Sequence, residues 1–482
     1  MIDVRPVGYV IGLLVAILGA LMLLPMALDY HDGNSNWLAF LEAAIVTTLA
    51  GAMIALACAN GVGQGLSIQQ SFLLTTGLWA VLPLFAALPF IIGAPGVSLT
   101  DAYFEATSGL TTTGSTVFPG LDALPRGTNL WRGLLQWLGG LGIVIVAMVF
   151  LPVMKVGGMQ YFRSEGFDTL GKILPRALDI SAALIRIYLV LTIACLAAYV
   201  AFGMTLYDGV VHALTTVSTG GFSTSDMSFG KYSGPAEYVG AAFMFAASLP
   251  FVRYVQLAAG SSRPFSQDVQ VRAYLRWTAY AIAAIIAYRM ISHGAPFLDA
   301  LREVSFNVVS TFSGTGYASE DVTAWGPFPM VVLIIVGIIG GCTSSTGCSI
   351  KIFRYLVLIE AIKLQIRRIH SPSRVSPMKL GGRALDDEVV SSVVVLFTMF
   401  ILTFGVTSVL LVITGLETGT AITAAWTAIF NIGPAFGGEV GPSGAMDQFP
   451  ASAKWVMAMG MLLGRLELLS VFVLFLPRFW RG

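Results

Sequence analysis

The chain has 482 residues, of which 56% are hydrophobic and only 11% charged, with a formal net charge of +1. A soluble globular chain carries about a quarter charged residues. The composition therefore excludes a soluble protein and points to an all-α polytopic membrane protein, with no nucleic acid among its expected partners.

The opening "MIDVRPVGYVIGLLVAILGALMLLPMAL" has an apolar run too long for a signal peptide and no small-residue cleavage site behind it, so it reads as a retained span. Roughly 20 apolar residues cross a bilayer. Segments that qualify lie near 7–28, 37–59, 70–92, 130–153, 182–204, 236–257, 272–292, 327–350, 389–414 and 453–477. This predicts about ten transmembrane helices. Shorter apolar runs near 99–110, 206–217, 297–312 and 418–430 cannot cross and fit four re-entrant helices. Cys58, Cys195, Cys342 and Cys348 fall in or beside apolar segments without a CxxC pair, and are expected to be buried thiols.

Lys and Arg set the orientation. They gather in 155–186 (Lys155, Arg163, Lys172, Arg176, Arg186), in 253–276 and most densely in 351–383, while Arg478 and Arg481 close the chain. With ten spans these clusters and both termini are expected in the cytoplasm. Asp29, Asp32, Asp101, Asp122, Asp226, Glu320, Asp321, Glu439 and Asp447 fall on the other side.

A unit of span, short helix, glycine turn and span recurs. Its copies read "SLTDAYFEATSGLTTTGSTV" (98–117), "TLYDGVVHALTTVSTGGFST" (205–224), "APFLDALREVSFNVVSTFSGTGYAS" (295–319) and "ETGTAITAAWTAIFNIGPAFG" (417–437), which align on Gly114, Gly220, Gly316 and Gly433. Thr113, Thr219 and Thr315 precede three of these glycines, and Ile432 precedes the fourth. Irregular backbone inside a membrane is tolerated only where it is buried or lines a watery cavity. Four such loops around one axis can offer carbonyl oxygens in place of a cation's hydration shell. Glycine permits the φ angles this needs, and the short helices aim their partly negative ends inward. No strong carboxylate ring is needed, which favours a monovalent ion. Asp101, Glu105, Asp208, Asp299, Glu303 and Glu439 are expected near the outer mouth as caps or solvated surface. The packing alternative, small residues at helix crossings, would scatter glycines along helix faces instead.

Within "IIVGIIGGCTSSTGCSIKIFRY" (334–355) the run Gly340, Gly341, Cys342, Thr343, Ser344, Ser345, Thr346, Gly347 weakens helix and exposes backbone polar groups. It predicts an intramembrane loop able to block a pore, with a small-residue helix crossing as the alternative. Cys348 stands where a P-loop would need Lys. Lys351 is expected to snorkel towards the inner interface. Arg465 puts a charge deep in the last span at a cost of roughly 2.5–3.5 kcal/mol, which marks it as functional by default. Glu467, two residues on, lies on another helix face and is not expected to pair with it directly. The alternative role for Arg465 is a structural ion pair.

These motifs resemble the Trk/Ktr/HKT superfamily of potassium transporters and its bacterial TrkH-type membrane subunits. "TTTGS", "STGGFST", "SGTGYAS", "NIGPAFGG", "GGCTSSTGCSIKIFR", "GRLELL" and "GGMQYFRSEG" carry the likeness. It implies two leading helices in 1–66, then four pseudo-symmetric span–pore–span units like a potassium channel in 67–165, 166–260, 261–370 and 371–482. It implies a filter formed by Thr112, Thr113 and Gly114; Ser218, Thr219 and Gly220; Gly314, Thr315 and Gly316; and Asn431, Ile432 and Gly433. Potassium would meet Thr112, Thr113, Gly114's neighbours in the other loops (Thr219, Gly220, Thr315, Gly316), Ile432 and Gly433. Gly340–Gly347 and Arg465 would form the gate. The resemblance further implies a homodimer in the bacterial inner membrane and a cytosolic ring of nucleotide-binding, TrkA-like regulatory subunits, since no strand–GxGxxG–helix pattern occurs here. The stretch 367–388 is the expected docking surface, a plain linker being the alternative. No covalent cofactor is expected.

Ile432 and Pro434 set the fourth loop apart, which leaves a less selective Na+/K+ path or symporter as the alternative function. An enzyme is disfavoured. His31, His212, His293 and His370 lie near interfaces or in a loop, and no nucleophile–base motif stands within the spans.

Overall fold

The computed structural model describes residues 3–61, 66–146, 177–260, 263–371 and 377–480. The "GGMQYFRSEG" motif, Lys155, Arg163, Lys172, Arg176, Arg374 and Arg481 lie outside the described residues.

Among the described residues the regular structure is helical, apart from one two-stranded antiparallel hairpin that pairs Lys379 with Ala384 and Leu380 with Arg383. Among the described residues, five helical segments are long and apolar enough to cross a membrane: Arg5–His31, Trp37–Cys58, Ile68–Ile92, Ser181–Ala201 and Asp387–Ile413. Two more predicted spans are bent pairs. Pro235–Ala247 meets Phe251–Ala258 at 90°, and Ala451–Arg465 meets Leu469–Phe475 at 103°. The first bend has a sequence cause, because Pro250 disfavours helix at the residue before it. The second turns on Glu467 and Leu468, with φ of +59° and +52°. Arg465 therefore ends a helix instead of lying midway along a straight span, and a cation is favoured at that end. The predicted span at 327–350 is helical only over Pro327–Ile339 and resumes at Ile352–His370.

By internal contacts the chain forms two compact units, each assembled from separated segments. The first comprises residues 1–139, 220–228 and 405–482; the second comprises 140–219 and 229–404.

In the first unit, Arg5–Leu21 packs closely on Trp37–Cys58 because Gly12, Gly19 and Gly51 bring backbone against backbone. Asp29 is fully buried and not on a solvated face. Its carboxylate accepts from the Gly127 amide at 2.6 Å and from Asn36 Nδ2 at 2.8 Å, which ties this hairpin to the start of helix Arg126–Ile145. In the second unit, the hairpin's Leu380 and the adjoining Leu385 pack on Phe353, Val357, Val389 and Val393. The described end of the expected docking stretch is thus anchored to helices by an apolar cluster.

Candidate functional site

All four short helices are present: Leu99–Leu110, Leu206–Val217, Phe297–Ser313 and Thr418–Phe430. The first two begin alike. Ser98 and Thr205 accept from the amides of Asp101 and Asp208 at 3.2 and 3.1 Å and donate to the same carboxylates at 2.8 and 2.9 Å. Asp101 also meets Lys454 Nζ at 2.6 Å. Glu439, in the loop after the fourth helix, accepts from the Glu417 amide at 2.7 Å and from the Thr420 hydroxyl, so it caps that helix. These hydrogen bonds hold its carboxyl below the ordinary value of 4.5.

Each helix ends in one residue of left-handed backbone: Thr112, Thr219, Gly314 and Asn431, with φ of +53°, +52°, +85° and +52°. Threonine rarely adopts this conformation. Thr113 and Ile432 then donate back to Ser108 and Thr427 oxygens at 2.9 and 3.1 Å, closing the same five-residue turn. Two residues after the left-handed one, Gly114, Gly221 and Gly316 are left-handed again, at +86°, +82° and +78°. By backbone conformation the counterpart of Gly114 is therefore Gly221, one residue after the Gly220 that sequence alignment selects. The Gly-Gly pair made both registers possible in sequence, and only the φ angles separate them. Gly433 lacks the left-handed turn, so the fourth loop differs in backbone as well as in side chains.

Within the first unit, Gly114, Gly220 and Gly433 come together. A Cβ on Gly114 would strike the Gly220 carbonyl oxygen and stand 3.3 Å from Gly433 Cα. Asn431 Nδ2 donates to Thr113 Oγ1 and to the Met461 carbonyl, both at 2.9 Å, and Ser115 Oγ donates to the Gly433 carbonyl at 2.9 Å. Gly464 packs against the Ile429 carbonyl, which sets the helix ending in buried Arg465 beside the base of the fourth short helix.

Within the second unit, Ser218, Thr219 and Thr315 are buried. Ser313 Oγ and Thr315 Oγ1 share a hydrogen bond of 2.7 Å. Tyr317 bonds to Thr215, and its ring lies against His212, Phe229 and Phe306. His212 is thus a wholly buried residue, unlike the interfacial histidine the sequence suggested.

The stretch from Gly340 to Lys351 is also in the second unit, and Thr343, Ser344, Ser345 and Thr346 are all buried there. It docks on the bend before Phe251. Cys342 N donates to Ser248 O at 3.0 Å, Thr346 Oγ1 donates to Ala247 O at 3.0 Å, and Phe251 N donates to Ser344 O at 2.8 Å. Gln270 Oε1 accepts from the Thr343 amide at 3.0 Å. Gly341 packs near Ser248, and Gly347 near the Ser313 carbonyl at the end of the third short helix. Lys351 is buried with φ of +78°, so it does not reach out to an interface as expected.

Sequence reasoning missed a polar face on Arg126–Ile145. Arg132 and Glu105 form a buried ion pair at 2.8 Å. Arg132 Nη1 also donates to the Ser223 carbonyl at 2.9 Å, and Glu105 accepts from the Val117 amide at 2.9 Å. Glu105 is therefore not mouth surface. Arg132 in a predicted span was a usable signal, since an ionisable residue there needs a partner.

The family model described as TrkH, cation transport protein, matches residues 38–268 and 286–481. The chain belongs to the TrkH family. Among its relatives, the Trk system potassium uptake protein TrkI of Halomonas elongata is 39% identical over 99% of this chain and 97% of that protein. The Trk system potassium uptake protein TrkH of Escherichia coli K12 is 33% identical over 99% of both. The crystal structure of the potassium transporter TrkH from Vibrio parahaemolyticus superposes with a TM-score of 0.91 at 32% identity, covering 100% of both chains. TrkH-family membership accords with the helical, multi-pass architecture and its short re-entrant helices.

Proposed function

We propose that this TrkH-family chain takes up potassium across the bacterial inner membrane through one pore with a four-loop filter. The reading is carried by one observation: four short helices end in the same left-handed residue, at Thr112, Thr219, Gly314 and Asn431. Such a turn redirects the carbonyls that follow it, and carbonyls can substitute for a cation's water shell. The filter residues are those around Gly114, Gly220 and Gly221, Gly316 and Gly433. The names of the relatives as potassium uptake proteins support the choice of ion. The buried loop Gly340–Gly347 is the gate, and Arg465 adds a positive barrier to cations beside the fourth loop. A TrkA-like nucleotide-binding ring on the cytoplasmic side and a homodimer complete the assembly by family likeness. A second reading, a less selective Na+/K+ path, is favoured by the fourth loop, where Ile432 and a Gly433 without the left-handed turn break the pattern.

The test is flux into liposomes holding the purified chain, comparing potassium, rubidium, sodium and choline. Potassium and rubidium flux well above sodium is expected. Equal potassium and sodium flux would move the function to the second reading. Arg465→Ala should raise leak flux, and unchanged flux in a folded variant would remove the barrier role. Gly316→Ser should lower the potassium preference, and a folded variant with the native preference would take that loop out of the filter.

A further inference from the structure

Asn129, Arg132 and Gln136 stand at i, i+3 and i+7 on helix Arg126–Ile145, hence on one face, and all are buried. Each ends on main chain that follows one of the short helices. Asn129 Nδ2 donates to the Leu121 carbonyl at 2.9 Å, and Arg132 Nη1 to the Ser223 carbonyl at 2.9 Å. Gln136 makes two bonds: Nε2 donates to the Gly220 carbonyl at 2.6 Å, and Oε1 accepts from the Phe222 amide at 3.0 Å.

These two bonds bracket Gly221, the left-handed glycine of the second loop. One rigid amide plane thereby fixes the entry and the exit of that turn. The fit leaves no slack, because a Cβ on Gly220 would run into the Gln136 amide. The Gly220 carbonyl so held is the same oxygen that a Cβ on Gly114 would strike. Its position is therefore set by Gln136 on one side and bounded by the first loop on the other.

We infer that Gln136 is a positioning residue for ion selectivity: it sets the spacing between the first and second loops and so the preference for potassium over sodium. The inference rests on the filter reading proposed above. A carbonyl-lined filter distinguishes the two ions by the number, field and spacing of its oxygens. A clamp on one of those loops then acts on selectivity without touching the ion. A residue serving only to pack the helix would change stability and leave the flux ratio alone.

The experiment measures the potassium-to-sodium flux ratio of the full-length protein in liposomes, with thermal unfolding alongside. Gln136→Met keeps length and removes both hydrogen bonds. Gln136→Asn keeps both groups on a side chain one methylene shorter. Gly316→Ser serves as the reference for the filter itself. Gln136→Met is expected to lower the ratio by at least about fivefold, the equilibrium worth of one of the two lost hydrogen bonds, with Gln136→Asn in between. A native ratio in the Gln136 variants beside a shifted ratio in Gly316→Ser overturns the inference and leaves the filter reading standing. Native ratios in all of them overturn both. If Gln136→Met does not fold, Gln136→Asn decides: a reduced ratio supports the inference and a native one overturns it.

Discussion

The loops after the first and second short helices are held by side chains, whereas the stretch from Gly340 to Lys351 is held mainly by main chain. Asn129, Arg132 and Gln136 reach into the first group from helix Arg126–Ile145, and Glu105 from the first short helix itself. The second lies on the bend at Ser248–Phe251 through bonds between backbone amides and carbonyls, with Gln270 and Thr346 adding two from side chains. The two solutions satisfy the same demand, that buried backbone groups find partners. They differ in what they allow. A loop pinned by buried, charged and bidentate side chains has one geometry. A loop joined to another break in the chain by a few ladder-like bonds can exchange partners as a piece, as the gate proposed above would require.

The largest expected effect breaks the first arrangement. Arg132→Met leaves the Glu105 carboxylate buried without its cation, and should cost about 3–5 kcal/mol. Thermal unfolding in detergent measures it, and adding Glu105→Met should recover most of the loss. A single variant melting as the native protein does would erase the contrast. Next, Gly114→Ala forces a side chain into left-handed backbone at a cost of about 1–2 kcal/mol, and also against the Gly220 oxygen. Potassium flux in liposomes should fall by at least about tenfold, a factor worth 1.4 kcal/mol. Native flux would mean that this turn does not bound the path.

On the other side, Thr346→Val removes one hydroxyl bond and leaves the main-chain bonds in place. Stability should fall by only about 0.5–1.5 kcal/mol, while basal flux rises as the loop loosens. Loss of stability on the Arg132 scale would put the two stretches in one class. The smallest effect concerns Glu439. Its carboxyl is held below 4.5, so its contribution is present above that pH and fades as pH falls through its lowered folded value. Glu439→Gln should lower stability slightly at pH 7 and flatten that part of the acid side of the stability curve, so that the two proteins converge at low pH. Identical acid profiles for the two proteins would remove Glu439 as a helix cap.

Much of this molecule is legible in its sequence for reasons of solvent and spacing. Apolar length fixes which segments can cross a bilayer, and four runs too short to cross, each followed by glycine and three of them also by hydroxyl residues, mark the re-entrant helices. The interruption after Ile339 was readable because Gly, Ser and Thr in succession cannot sustain helix. Three things depended on tertiary structure. The register of the second loop could not be read from "TGG", because either glycine satisfies the sequence and only the φ of Gly221 decides. The bend after Arg465 has no proline to announce it; it rests on left-handed Glu467 and Leu468, a conformation that only the surrounding packing can impose. The clamp from Glu105, Arg132 and Gln136 joins residues far apart in the chain, and polar groups choose partners by where the folded backbone carries them. Composition selects the membrane, local spacing selects the elements, and the pairing of buried polar groups is decided only when those elements meet.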